Sequence, residues 1–190
     1  MEATPSLIFI SGGVRSGKSS FAEKLAKQAL SENGGQLYYL ATGVPFDQEI
    51  KQRIDKHQHD RASGNWLTIE QSVNIGQAAK LFTGQDIVLL DCVTTLLNNE
   101  LFLSCGRWDE RFLQKVKESI VTGIQKISER VKTMIVVSNE VLNEPIAETE
   151  LNFTYSRLLG HIHQQLVKAA DQAYLVEAGI SIMMKGGGKA

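Results

Sequence analysis

Cysteine is scarce in this chain: Cys92 and Cys105 are the only two, and their separation matches no metal-ligand spacing. That excludes a disulfide scaffold and fits a reduced, cytoplasmic setting. Charge of one sign is also missing. Twenty Lys and Arg oppose twenty-one Asp and Glu, for a formal net charge of −1, and no long basic run occurs. A nucleic-acid partner is therefore not expected, because such a surface clusters Lys and Arg. No apolar run is long enough to span a bilayer, so no membrane partner is expected either. The opening MEATPSLIFISGG has no cationic region, and its apolar run is too short for a signal peptide. What is present is ordinary globular composition, 43% hydrophobic and 22% charged. There is no internal repeat or low-complexity linker, and the whole chain, 1–190, reads as one domain.

Apolar runs alternate with helical periodicity along the chain. SLIFIS, residues 6–11, reads as a buried strand ending in glycines. The next segment carries Phe21, Leu25 and Ala29 at helical spacing and stops at Gly34-Gly35. QLYYLAT (36–42) is a second strand. A helix beginning near Pro45 is expected to run to Arg61, and Trp66 to Glu70 is a short extended piece. DIVLLDCVTT (86–95) reads as the strongest strand. Phe112, Val116, Ile120 and Ile124 define a helix over 109–130. TMIVVSNE (133–140) is another buried strand, and Leu158, Ile162 and Leu166 mark a further helix. The chain ends in two strands around Ala178-Gly179, a hairpin, and a tail expected to fray. Strand–helix alternation of this kind predicts an α/β fold with a parallel sheet covered on both faces.

GGVRSGKS, Gly12 to Ser19, matches G-x-x-x-x-G-K-[ST] in full and stands between a strand and an amphipathic helix. In such a loop Gly12, Gly13, Val14, Arg15, Ser16 and Gly17 turn backbone N–H groups towards phosphate oxygens. Lys18 reaches the β- and γ-phosphates, and the Ser19 hydroxyl holds Mg²⁺. Asp91 closes a strand after four apolar residues, the pattern of the second carboxylate that holds Mg²⁺ in nucleotide sites. A glycine turn without a ligand and a capping Asp are the plainer alternatives.

RIDKHQHDR, residues 53–61, holds two of the four histidines. On a helix, relative to Ile50, Ile54 lies at about 40°, His57 at about −20° and Arg61 at about 20°, whereas His59 lies at about 180°. His57 is thus expected to point inward with the two isoleucines and Arg61, and His59 outward. The two rings diverge and cannot share a metal ion. An inward His57 reads either as a hydrogen-bonded core residue or as a nucleophile toward phosphorus. His161 and His163, on the later helix, are expected at surface or groove positions with no assigned role.

These motifs, in this order, resemble the bifunctional adenosylcobinamide kinase/adenosylcobinamide-phosphate guanylyltransferases of cobalamin biosynthesis. The likeness runs through GGVRSGKS at 12–19, YLATG at 39–43 and the DxExxxRIxxHxxxR frame from Asp47 to Arg61. It continues through WLTIE at 66–70, DCVTTLLNN at 91–99, VVSNEV at 136–141 and AADQAYLVEAGI at 169–180. The resemblance implies a P-loop NTPase of RecA-like type, mostly parallel, with a C-terminal antiparallel hairpin, assembled as a homotrimer. It implies two reactions. ATP or GTP phosphorylates adenosylcobinamide, and GTP then transfers GMP to adenosylcobinamide phosphate through a guanylyl-histidine. His57 is the matching nucleophile, with Lys18 beside it in catalysis. Gln58, His59, Asp60 and Arg61, which follow His57, are counted with the nucleotide site. Ala41, Thr42 and Gly43 line it, and Glu70 matches a carboxylate that contacts the nucleotide at the guanine edge.

The chain departs from the family pattern after VVSNEV: Leu142 and Glu144 stand for glycines, Ala147 for proline, and Phe153 and Ser156 for arginines. Those changes bear on corrinoid binding and the subunit interface. Two other readings remain: a P-loop small-molecule kinase without guanylyl transfer, and a nucleotide-sensing module that hydrolyses little.

Overall fold

A computed structural model of the chain describes residues 6–43, 65–103, 108–140 and 150–186. Within them seven strands form one sheet: β1 (Ser6–Gly12), β2 (Leu37–Ala41), β3 (Trp66–Glu70), β4 (Ile87–Asp91), β5 (Thr133–Asn139), β6 (Gln172–Glu177) and β7 (Ile180–Lys185). Their spatial order is β3-β2-β4-β5-β1-β6-β7. Every pairing is parallel except β6 with β7, which is antiparallel. Among the described residues the helices are α1 (Lys18–Asn33), α2 (Val93–Phe102), α3 (Glu110–Ser128) and α4 (Glu150–Ala169), with a 3-10 turn at Ile75–Leu81. This is the P-loop architecture expected, hairpin included. Among the described residues no helix is long and apolar enough to cross a membrane.

The unbroken apolar runs conceal a period of two. Leu7, Phe9, Val88, Leu90, Met134 and Val136 pack on one face with α2, α3, α4 and the 3-10 turn. Ile8, Ile10, Ile87, Leu89, Ile135 and Val137 pack on the other, against Ala22 and Ala26 of α1. Both faces are covered, so alternation between polar and apolar never develops in the sequence. On α1 the fully buried residues are these two alanines, while Phe21, Leu25 and Ala29 are partly buried beside them. Small side chains let the helix lie close over the sheet. On α3 the four-residue stepping holds: Val116, Ile120 and Ile124 are buried, and the Asp109 side chain accepts from the Phe112 N–H at 2.8 Å to cap the helix.

Two expectations need correcting. The strand expected over 86–95 stops at Asp91, and α2 begins at Val93. Val93, Thr94 and Thr95 favour a strand locally, but Val93, Leu96, Leu97 and Leu101 fall on one helical stripe and are all buried. Burial of that stripe outweighs the propensity difference of well under 1 kcal/mol per residue. The second correction is His163. It is 7% exposed, stacked edge-on against Phe9 with ring centroids 5.3 Å apart, and its Nε2 lies 2.7 Å from Ser138 Oγ. His161, by contrast, is exposed as expected.

Candidate nucleotide site

The parallel strands end on one edge of the sheet. Register places Gly12 opposite Asn139, Asp91 opposite Val137 and Ala41, and Ala41 opposite Glu70. The phosphate loop, Asp91, the β2 end and Glu70 therefore share this edge, where open α/β sheets bind ligands. β4 and β1 are separated by β5 alone, so Asp91 and the loop stand roughly 10 Å apart at about 4.8 Å per strand.

The loop is closed by its own backbone and by its neighbours. Ser16 N–H donates to Gly13 C=O at 3.2 Å, and Gly12 C=O accepts from Glu140 N–H at 2.8 Å. Gly179 N–H, at the hairpin turn, donates to Ser16 C=O at 2.8 Å. A methyl group at Gly12 would collide with Val176 C=O and with Ser16 Oγ, 2.6 Å away. Gly17 has a φ of 93°, the left-handed region, immediately before α1. Lys18 is 8% exposed and donates from Nζ to Gly13 C=O at 3.1 Å. Val14 and Arg15 are exposed, and Ser19 is half-buried in the first turn of α1.

Two features of the loop suit an anion. The N-terminus of α1 has no side-chain cap and no acidic residue in its first turn, so its N–H groups and positive dipole end stay available to phosphate. Ser16 Oγ is buried with no hydrogen-bond partner. A buried hydroxyl left in that state is costly, and a phosphate oxygen is an acceptor that would relieve it.

Asp91 accepts from the Tyr39 hydroxyl at 2.7 Å through Oδ2. The Asp91 carboxylate and the Ser19 hydroxyl are each hard oxygen donors of the kind Mg²⁺ takes alongside substrate phosphates. Among the described residues no group of three or more His, Cys, Asp and Glu is arranged to hold a metal ion. Thr42 is fully buried. Its Oγ1 accepts from Cys92 N–H at 2.9 Å and lies 3.1 Å from Asp91 C=O and 3.0 Å from Cys92 C=O. Ala41 and Gly43 are half-buried beside it, and Glu70 is exposed at the end of β3. His57, Gln58, His59, Asp60 and Arg61 lie outside the described residues.

Sequence reasoning missed a polar layer under this edge. Cys92 is buried with its Sγ 3.2 Å from Thr95 Oγ1, and burial, then the nearby Asp91 charge, raises its pKa. Thr94 Oγ1 accepts from Asn139 N–H at 2.9 Å. Tyr155 donates to Thr94 C=O at 3.4 Å, and burial raises its pKa. Asn99, on α2, is buried.

Comparison with known proteins agrees with this geometry. The family described as cobinamide kinase / cobinamide phosphate guanyltransferase matches residues 8–184. The bifunctional adenosylcobalamin biosynthesis protein CobU of Escherichia coli strain K12 is 31% identical, over 94% of this chain and 99% of that protein. CobU of Salmonella typhimurium strain LT2 is 32% identical with the same coverage. The corresponding CobP of Pseudomonas aeruginosa is 31% identical, over 93% of this chain and 96% of its own. Among solved structures, the flagellar accessory protein FlaH of Methanocaldococcus jannaschii shares the fold, with a TM-score of 0.51 at 17% identity, over 97% of this chain and 80% of that one. With a complete phosphate loop, a strand-end carboxylate on the same edge and a family match over nearly its whole length, this chain belongs to the cobinamide kinase / cobinamide phosphate guanyltransferase family.

Proposed function

We propose that one nucleotide pocket, built on the Gly12–Ser19 loop, serves both reactions and that His57 carries the nucleotidyl group between them. In the first reaction the aminopropanol hydroxyl oxygen of adenosylcobinamide bonds to the γ-phosphorus of ATP or GTP. The β–γ bridging bond breaks, the nucleoside diphosphate leaves, and the hydroxyl proton is lost. In the second, a ring nitrogen of His57 bonds to the α-phosphorus of GTP and pyrophosphate departs. A phosphate oxygen of adenosylcobinamide phosphate then bonds to the same phosphorus, the P–N bond breaks, and adenosylcobinamide-GDP is released. Splitting the transfer in this way replaces one difficult displacement by two easier ones.

The observation that supports the shared pocket is the buried Lys18 in a loop with an uncapped helix behind it. Lys18 and the loop amides hold the triphosphate and stabilise charge on whichever phosphate group departs. Ser19 and Asp91 would hold Mg²⁺, which supplies neutralisation of the phosphate charge. Glu70 contacts guanine at N1–H and N2–H, and Arg61 steadies the α-phosphate; Gly43, with Ala41 and Thr42, forms the wall of the pocket. The roles of His57, Gln58, His59, Asp60 and Arg61 rest on the RIxxHxxxR frame. A homotrimer is the assembly, a reading supported by the exposed Ile180, Ile182, Met183 and Met184 on β7, an apolar surface of the kind that subunit contacts cover. The setting is cytoplasmic.

The test is incubation with GTP labelled at the α-phosphate and Mg²⁺, followed by intact-mass and peptide analysis. We expect an acid-labile, base-stable adduct on His57, discharged by adenosylcobinamide phosphate and missing in His57→Ala. Pyrophosphate release without any adduct would refute the covalent route. A His57→Ala protein that still phosphorylates adenosylcobinamide, paired with a wild type that makes no adenosylcobinamide-GDP, would favour the kinase-only reading.

A further inference from the structure

Asn99 is 5% exposed, near the middle of α2, yet it faces the site edge through two hydrogen bonds. Its Nδ2 donates to Thr42 C=O at 2.8 Å and to Ser72 C=O at 3.0 Å. Those carbonyls belong to different loops, one leaving β2 and the other leaving β3. Both N–H groups of the amide are thereby used, on the two segments that border Glu70. The next residue reinforces the attachment. Glu100 is buried and accepts from Asn74 N–H at 2.6 Å. Gln71 N–H donates to Ala41 C=O at 2.9 Å and completes the join between the loops.

The chain of bonds continues past Thr42. Its hydroxyl brackets the Asp91 and Cys92 backbone, and Asp91 in turn is held by Tyr39. From Ser72 to Asp91 the contacts are hydrogen bonds between buried or half-buried groups, which do not exchange freely with water. We infer that Asn99 is a positioning residue: it sets the β3 end, and Glu70 with it, relative to the β2 end and Asp91, and so governs discrimination between purine bases at the nucleotide site. The inference rests on the reading of Glu70 as the guanine contact. An exposed carboxylate at a strand end reads a base edge only if the backbone beneath it is held, because a displacement of about 1 Å already weakens an oriented hydrogen bond.

Two variants test it. Asn99→Leu removes both donors while keeping the γ-branched shape, in a somewhat larger side chain. Asn99→Asp keeps the shape but turns a carboxylate towards two carbonyl oxygens. Dissociation constants for GDP and IDP, which differ only by the guanine 2-amino group, give the GDP preference without any chemical step. In both variants at pH 8 we expect the GDP-to-IDP preference to fall at least about threefold, while overall diphosphate binding persists through the loop. Lowering the pH should restore part of the preference in Asn99→Asp, since the protonated carboxyl regains one donor, and none in Asn99→Leu. Circular dichroism checks that each variant folds, and if Asn99→Leu does not, Asn99→Asp with its pH profile still decides. Unchanged preference in a folded variant overturns the inference. Preference kept in Glu70→Ala but lost in the Asn99 variants removes Glu70 as the base reader and leaves the positioning role standing. A wild type that binds GDP and IDP equally overturns both.

Discussion

His163 offers a pH-dependent stability that can be worked out from its surroundings. The ring lies in the core between Phe9 and Ser138, and burial lowers its pKa from 6.5 to about 4. Between those two values the unfolded chain takes up a proton that the folded protein refuses. Stability from this group is therefore complete above pH 6.5, falls as pH drops through the interval, and is fully lost below about 4. At about 1.4 kcal/mol per pH unit, the gap corresponds to about 3 kcal/mol, a large part of a typical domain stability of 5–15 kcal/mol. Carboxylates titrate nearby in pH, so wild type alone would not isolate the effect. The comparison is with His163→Gln, which keeps a polar group for Ser138 but cannot titrate. Urea unfolding at intervals from pH 7.5 to 4 gives both curves. At pH 7.5 we expect the variant to be less stable, by about 1 kcal/mol, from the altered hydrogen bond and lost ring contact. The difference should then move by about 3 kcal/mol in the variant's favour as pH falls to 4. Parallel curves would refute the argument. Ser138 precedes Asn139, whose register partner is Gly12, so the same titration bears on the strand beside the phosphate loop.

Two further outcomes follow from the loop. Gly12→Ala places a methyl group against Val176 C=O and Ser16 Oγ; we expect a stability loss of about 1–3 kcal/mol in urea unfolding together with weakened triphosphate binding. Lys18→Ala should abolish adenosylcobinamide phosphorylation and guanylyl transfer alike, assayed by product formation, because both depend on one triphosphate grip; survival of either at the wild-type rate contradicts a single pocket.

The fold was legible wherever one segment carried its own signal. The apolar run ending in glycines became β1, the apolar run over 133–140 became β5, and the four-residue stepping of Val116, Ile120 and Ile124 became α3. The end of β4 was not, because Val93-Thr94-Thr95 suits a strand locally and becomes helical only once Leu96, Leu97 and Leu101 have a sheet to cover. His163 was misplaced for a related reason. Helical spacing beside Leu159, Ile162 and Leu166 left its direction open until the width of the buried stripe was known.

The sequence by itself determined the phosphate loop, the strand-end Asp91 and the family, since each depends on residues contiguous in the chain or ordered along it. Tertiary structure alone decided that Tyr39 reaches Asp91 across 52 positions and that Asn99 reaches Thr42 across 57. A hydrogen bond between distant residues leaves no periodicity behind; it exists only when strand register and helix packing bring donor and acceptor within about 3 Å of each other.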